Sequence, residues 1–170
     1  SPIRGLTLRG LTISHAATEG VHCGFGGRFL PAAVSITGPG DDLTLQNIRV
    51  CDVDGKGLQI GSLAACFVLN GVRVENCDFI DCGGSGLVVR SPGANVIANT
   101  VANVGRSFAS SLAMVVSGTD CEVRGNRVTT CPYTAITWGG KNAVFAENTV
   151  SKHMRKLNDG GAFYFFAGDG

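Results

Sequence analysis

Proline and methionine are scarce in this sequence, with five and two residues among 170, whereas glycine reaches 25. Few helix formers and many turn residues predict a β protein with few helices. No run of about 18 apolar residues is present, so we expect no membrane span. The 14 basic and 13 acidic residues leave a net charge of +1, which gives no general attraction to nucleic acid.

Paired CxxC spacing and the common catalytic motifs are also missing. No phosphate-binding loop, HExxH or GxSxG occurs, so we expect no nucleotide cofactor and no metal site of those types. The seven cysteines are an odd number without zinc-site spacing. They are predicted to be buried, unpaired thiols, with one disulfide as the alternative. They are Cys23, Cys51, Cys66, Cys77, Cys82, Cys121 and Cys131.

What the sequence does contain is a repeat. Six segments of six residues align, and the third position of each is apolar. The sixth position is small or apolar in five copies and becomes His153 in the last. The aligned segments are 11–16, 48–53, 77–82, 99–104, 126–131 and 148–153.

Each copy is followed by a loop and a short apolar strand, and a further strand leads to the next copy. Three strands in a unit of about 22 residues describe one rung of a coil, and rungs bury their inward faces only by stacking. We therefore predict an all-β solenoid of about six parallel rungs, forming a single domain over residues 1–170. The first residues enter a rung already under way and no amphipathic cap follows the last strand. We expect a fragment of a longer β-helical chain.

Asparagine recurs at one position of the repeat, as Asn99, Asn126 and Asn148. Asparagine tolerates a left-handed backbone, and its amide can hydrogen-bond along a stack. This pattern resembles the asparagine ladder of right-handed parallel β-helices of the pectate-lyase-like type. The resemblance implies that fold for essentially the whole chain.

The outward-facing residues of one strand in each rung form a polar face that could bind a ligand. Alternation sends Leu58 and Ile60 inward and Gln59 outward, and the equivalent residues of other rungs form an outward row. Such a face, with polar loops before its strands, suits an extended glycan. The glycine-rich insertion 17–31 is interpreted as a wall or lid of this groove, or as a tolerated surface loop. The candidate substrate-binding residues are Gln59, Tyr133, Thr137, Lys152, Arg155, Lys156, Asn158 and Tyr164.

Two residues near the last strand are catalytic candidates. Asp159 could act as general acid or base, or could be a turn residue that binds its own backbone. His153 could act as an acid or base, or fill the core position of its rung. Asp54 with Lys56 is weighed as a second catalytic side against a surface turn pair. Asp54 lies about four rungs from Asp159, too far for a carboxylate pair.

Four stretches resemble landmarks of the large secreted bacterial β-helix glycoside hydrolases of the fucosidase and xylanase type. They are 31–34, 57–62, 132–137 and 157–164. The resemblance implies hydrolysis by carboxylates, with Asp159 as the residue to carry over. The stretch 57–62 also looks like a polygalacturonase strand, but the paired aspartates and Gly-His-Gly of that family are absent.

The leading prediction is a secreted or extracellular glycoside hydrolase acting on a polysaccharide, with the bacterial cell envelope as an alternative location. A second hypothesis is a uronate lyase or epimerase that uses Lys152 or His153 as base and Arg155 as carboxylate clamp. Calcium is expected only for the lyase. A third hypothesis is a non-catalytic glycan-binding or adhesive β-helix.

Overall fold

The computed structural model describes residues 2–19, 24–61 and 68–165. Within them, the chain winds through three sheets of six parallel strands each, and the one helical element is a 3₁₀ turn at Phe25–Gly27. The predicted parallel β-helix of about six rungs is confirmed. No helix in these residues is long and apolar enough to span a membrane.

We number the rungs one to six in chain order and name the sheets A, B and C in the order in which each rung meets them. Sheet A contains Thr7–Arg9, Thr44–Gln46, Arg73–Glu75, Asn95–Ile97, Glu122–Arg124 and Val144–Ala146. Sheet B contains Thr12–Ser14, Arg49–Val53, Asp78–Cys82, Thr100–Ala102, Arg127–Thr129 and Thr149–Ser151. Sheet C contains Ala32–Ile36, Lys56–Ile60, Leu87–Arg90, Met114–Thr119, Ile136–Lys141 and Phe163–Phe165. A small sheet of Ile3–Arg4, Gly40–Asp41 and Leu69–Asn70, which the repeat did not predict, precedes sheet A in the first three rungs.

The core follows from alternation along these short strands. The apolar third position of the repeat stacks in register, as in Val50, Phe79 and Val101, and all three side chains are buried. Leu58 and Ile60 are likewise buried. Burial of a large apolar side chain stabilises a fold by roughly 1.5–3 kcal/mol. A continuous inward column therefore holds each rung to the next.

The predicted asparagine ladder is present. The Nδ2 atom of Asn99 donates to Oδ1 of Asn126 at 3.0 Å, and that of Asn126 donates to Oδ1 of Asn148 at 2.9 Å. Each amide also donates to a carbonyl of an earlier rung, for example Asn126 to Val96 O at 2.8 Å. The ladder satisfies backbone groups at the corner between sheets A and B, where Asn99 and Asn126 are buried.

The left-handed residue of this corner lies one position before the ladder, which corrects part of the sequence argument. Positive φ angles occur at Asn47 and Asn76, at 53° and 52°, and at Ala98, Gly125 and Glu147 in the following rungs. The ladder asparagines are therefore selected for their amide hydrogen bonds. Tolerance of left-handed backbone explains Asn47 and Asn76 instead.

Five cysteines lie in the described residues, and none of them forms a disulfide. Four of these thiols are buried, and Cys51 is half-buried. Cys23 and Cys66 lie outside the described residues. Burial raises the pKa of Cys82 to about 12 and the pKa of Cys131 to about 11. The prediction of buried, unpaired thiols is confirmed for the described cysteines apart from the partly accessible Cys51.

These thiols should make the fold less stable in alkaline solution. The folded state holds the Cys131 proton more tightly than the unfolded state does. Its contribution is therefore complete below the ordinary pKa of 9.0 and is lost as the pH rises towards about 11. We expect the free energy of unfolding of the wild type, relative to Cys131→Ala, to fall by about 2 kcal/mol between about pH 7 and pH 10.5. Urea denaturation at both pH values measures this difference.

The variant is the reference because other groups, Lys56 among them, also titrate in this interval. Their contributions are common to both proteins and cancel in the difference. Parallel pH dependence in the two proteins would show that the Cys131 thiol is not held protonated by the fold.

Candidate functional site

The outward row of sheet C has the predicted register. Each member pairs with the next across adjacent strands. The row consists of Ser35, Gln59, Val88, Val115, Thr137 and Tyr164. Val88, Val115 and Thr137 are nevertheless buried, and Gln59 is half-buried. The expectation of a groove open along its whole length is therefore wrong.

The described part of the insertion accounts for this burial. The Nζ atom of Lys56 in rung two donates to Arg28 O at 2.9 Å. The Phe25 ring meets the Tyr133 ring of rung five edge to face, with centroids 6.3 Å apart. Residues 24–30 therefore lie across the outward face from rung two to rung five. This position fits the wall predicted for the insertion, of which residues 20–23 lie outside the described residues.

A small cleft of about 80 Å³ lies at the end of this wall. We call it the aromatic cleft, and its lining residues are Phe25, Leu112, Tyr133, Thr134, Thr137 and Tyr164. Phe25 is 72% exposed and Tyr164 is 46% exposed. The Thr137 Oγ1 atom is buried and has no hydrogen-bond partner among the described residues. The cleft therefore offers aromatic surface, and the buried Thr137 hydroxyl lies beneath it.

Asp159 is exposed and adjoins this cleft through Tyr133. Burial, and then hydrogen bonding to the Asp159 carboxylate, raise the pKa of Tyr133. Gly160 explains why the loop comes so close, since a Cβ atom there would overlap Thr134 Oγ1. The structure thus brings together three residues that the sequence predicted as separate candidates, namely Tyr133, Asp159 and Tyr164.

The predicted cationic residues belong to a different surface. Arg155 and Lys156 line a groove of about 360 Å³ beside the corner between sheets B and C. Arg106 lines the same groove and lies 4.0 Å from carboxylates of both Asp52 and Asp81. We call it the cationic groove. Lys152 and Asn158 are exposed.

The arrangement of the rungs identifies the family. The chain matches the family model described as right-handed β-helix region over residues 4–150. It belongs to the right-handed β-helix family. No curated protein and no solved structure matches the chain. The fold and its hand are thereby assigned, while the closeness to fucosidase and xylanase enzymes stays a prediction.

His153 stands at the end of the β-helix core. It occupies the position that Cys131 holds one rung earlier, and the two rungs are joined by the bond from Cys131 N to Lys152 O at 3.2 Å. The ring is half-buried, and its Nδ1 atom is buried without a hydrogen-bond partner among the described residues. This placement favours the core interpretation of His153, and its catalytic role stays a prediction.

The pairing of Asp54 with Lys56 does not occur in this β-helix. Asp54 is exposed, and its Oδ2 atom accepts from Thr18 N at 3.3 Å. Lys56 begins a strand of sheet C and is only 2% exposed, because residues 24–30 cover it. Its Nζ atom donates to Gln59 Oε1 at 2.6 Å. The repeat marked Lys56 as a loop residue, and only the position of the insertion could have shown that it is buried.

No cluster of three or more metal-ligating side chains occurs in residues 2–19, 24–61 and 68–165.

Proposed function

We propose that this β-helix protein is carbohydrate-active and binds a polysaccharide on the outward face of sheet C at rungs five and six, with the aromatic cleft as one subsite. The observation that carries the proposal is the aromatic cleft itself. It combines the exposed rings of Phe25 and Tyr164 with a buried Thr137 hydroxyl that has no hydrogen-bond partner among the described residues. Binding sites of this kind use apolar or aromatic surface for contact and a few placed polar groups for orientation.

The small volume of the cleft suits one part of a longer ligand. A site of about 80 Å³ is well below the volume that usually encloses a free small molecule. A polysaccharide can occupy it with one ring while the rest of the ligand lies outside the cleft. Because such ligands occur largely outside cells, we also propose an extracellular location.

Glycosidic hydrolysis is the second candidate function, and the contact of Asp159 with Tyr133 favours it. An exposed carboxylate beside a sugar-binding cleft is placed to exchange a proton with a glycosidic oxygen or with water. Hydrolysis by the common routes needs a second carboxyl group within roughly 5–9.5 Å. Asp52 and Asp81 lie near Arg106, which lines the cationic groove and not the aromatic cleft. We therefore assign neither of them as the second carboxyl group.

One observation supports the lyase or epimerase hypothesis. Arg155 and Lys156 line the cationic groove, where a uronate carboxylate could bind. Calcium would belong only to that reaction. The groove and the aromatic cleft are lined by different residues, so the two hypotheses concern separate surfaces.

Phe25→Ala tests the binding proposal. Loss of an aromatic contact costs on the order of 1 kcal/mol. We therefore expect this variant to bind, roughly five- to tenfold more weakly, the polysaccharides that the wild-type protein binds. Affinity electrophoresis against neutral and acidic polysaccharides identifies those ligands, and titration calorimetry measures the loss.

Phe29→Ala is the matched control. Phe29 is 67% exposed and belongs to the same segment, but it does not line the aromatic cleft. We expect its affinity to equal that of the wild type. Equal effects of the two substitutions would remove the aromatic cleft from the binding site.

A further inference from the structure

A buried lysine, Lys56, lies on the outward face at rung two. The Lys56 side chain is almost fully buried, and its Nζ atom donates to Arg28 O and Gln59 Oε1, at 2.9 and 2.6 Å. An ammonium group has three donors. Among the described residues, one donor is therefore left for a further partner.

Two more cations lie in this region. Arg90, half-buried at the end of its strand in rung three, is one, and Arg28 on the wall is the other. Burial, and then the charge of Arg90, lower the pKa of Lys56 to about 8. Burial, and then the charge of Arg28, lower the pKa of Arg90. The charge of Arg90 thus acts on Lys56, and the charge of Arg28 acts on Arg90. Lys56 is buried and Arg90 is half-buried, whereas Arg28 is exposed.

Among the described residues, no carboxylate lies within ion-pair distance of these three cations. Ion pairs do form elsewhere, as between Arg124 and both Glu122 and Glu147. A buried positive charge without a counter-charge is costly, and an anionic ligand would offset that cost.

We propose that Lys56, Arg90 and Arg28 form a binding site for an oxyanion, a carboxylate or sulfate group. The free Lys56 donor and the guanidinium groups supply charge-assisted hydrogen bonds to its oxygens. Along the outward row, Gln59 is three strand steps from Thr137 of the aromatic cleft. That separation is about 14 Å.

The site extends the proposed function without depending on it. If the oxyanion belongs to a glycan, the ligand would be an acidic polysaccharide. A free anion would use the same groups. The experiment therefore begins with small anions.

Titration calorimetry with sulfate, glucuronate and glucose, at constant ionic strength, tests the inference. We expect sulfate, glucuronate or both to bind, and glucose not to bind. In Lys56→Met the anion affinity should fall at least about tenfold. Methionine keeps the unbranched apolar stem and removes the buried charge, so we expect this variant to fold. Arg90→Met gives an independent second test.

The pH dependence supplies a readout that a structural role would not produce. The charge that acts on Lys56 is that of Arg90, and its hydrogen-bond partners are the uncharged Gln59 amide and the Arg28 carbonyl oxygen. Wild-type anion affinity should therefore fall as the pH rises through about 8, where Lys56 loses its proton. The effect should be absent in Lys56→Met.

Arg127→Met is the control, because Arg127 is an exposed cation that forms no ion pair among the described residues. Equal anion affinity in the wild type, Lys56→Met and Arg90→Met would overturn the inference, as would no anion binding by the wild type. Polysaccharide binding that depends on Phe25 would then still support the proposed function. Anion binding without polysaccharide binding would support the oxyanion site and contradict the proposed function.

Discussion

Asn126→Ala is expected to lower the free energy of unfolding by about 3–5 kcal/mol. The substitution removes the Oδ1 atom that accepts from N and Nδ2 of Asn99, each at 3.0 Å. It also removes the Nδ2 atom that donates to Val96 O at 2.8 Å. A buried polar group left without its partner costs roughly 1–3 kcal/mol, and three such groups are affected. Urea denaturation followed by circular dichroism measures the loss.

Asn70→Ala provides the comparison. Asn70 is an exposed asparagine that donates to Asp41 at 3.3 Å, and water can replace that bond. We expect a change of less than about 0.5 kcal/mol. If both substitutions had this small effect, the ladder would not be a major source of stability.

Asp159→Asn is expected to reduce kcat by roughly 10²- to 10⁴-fold if the protein hydrolyses glycosides, because the amide cannot donate or accept the catalytic proton. Asparagine keeps the size of the side chain and its contact with Tyr133, so binding of the polysaccharide should be retained. Release of reducing ends measures turnover, and affinity electrophoresis measures binding.

Asp120→Asn is the matched control, since Asp120 is also exposed but lies at a rung corner, where its carboxylate accepts from Asn142. We expect its turnover to be normal. Undiminished turnover in Asp159→Asn would show that another carboxylate acts. Binding without turnover in the wild type would favour the non-catalytic glycan-binding hypothesis. An unsaturated product that absorbs in the ultraviolet would favour the lyase.

Most of the fold could be predicted because the structural rule is local and recurs in every rung. The apolar residue at the third repeat position, such as Phe79 or Val101, is enough to predict which side chains stack inside the β-helix. The asparagine ladder followed from the same alignment. The small sheet before sheet A was missed because its short strands, such as Gly40–Asp41, occur only in rungs one to three.

The site was less predictable because its contacts join residues that are distant in sequence. Alternation correctly directed Val88 and Val115 outward, but nothing in those strands indicates that they are buried. The placement of Lys56 beneath Arg28 depends in the same way on where the insertion lies. Tyr133, Asp159 and Tyr164 were chosen individually, and the loop geometry at Gly160 decides that they meet.

The wall formed by residues 24–30 has a consequence for how the chain unfolds. In a solenoid each rung contacts only its neighbours, so unfolding can start at an end and proceed one rung at a time. Here a segment that belongs to rung one is bonded to Lys56 of rung two and packed on Tyr133 of rung five. Loss of the last rungs must therefore also release a segment close to the start of the chain. We therefore expect rungs two to five to unfold together, as one cooperative unit.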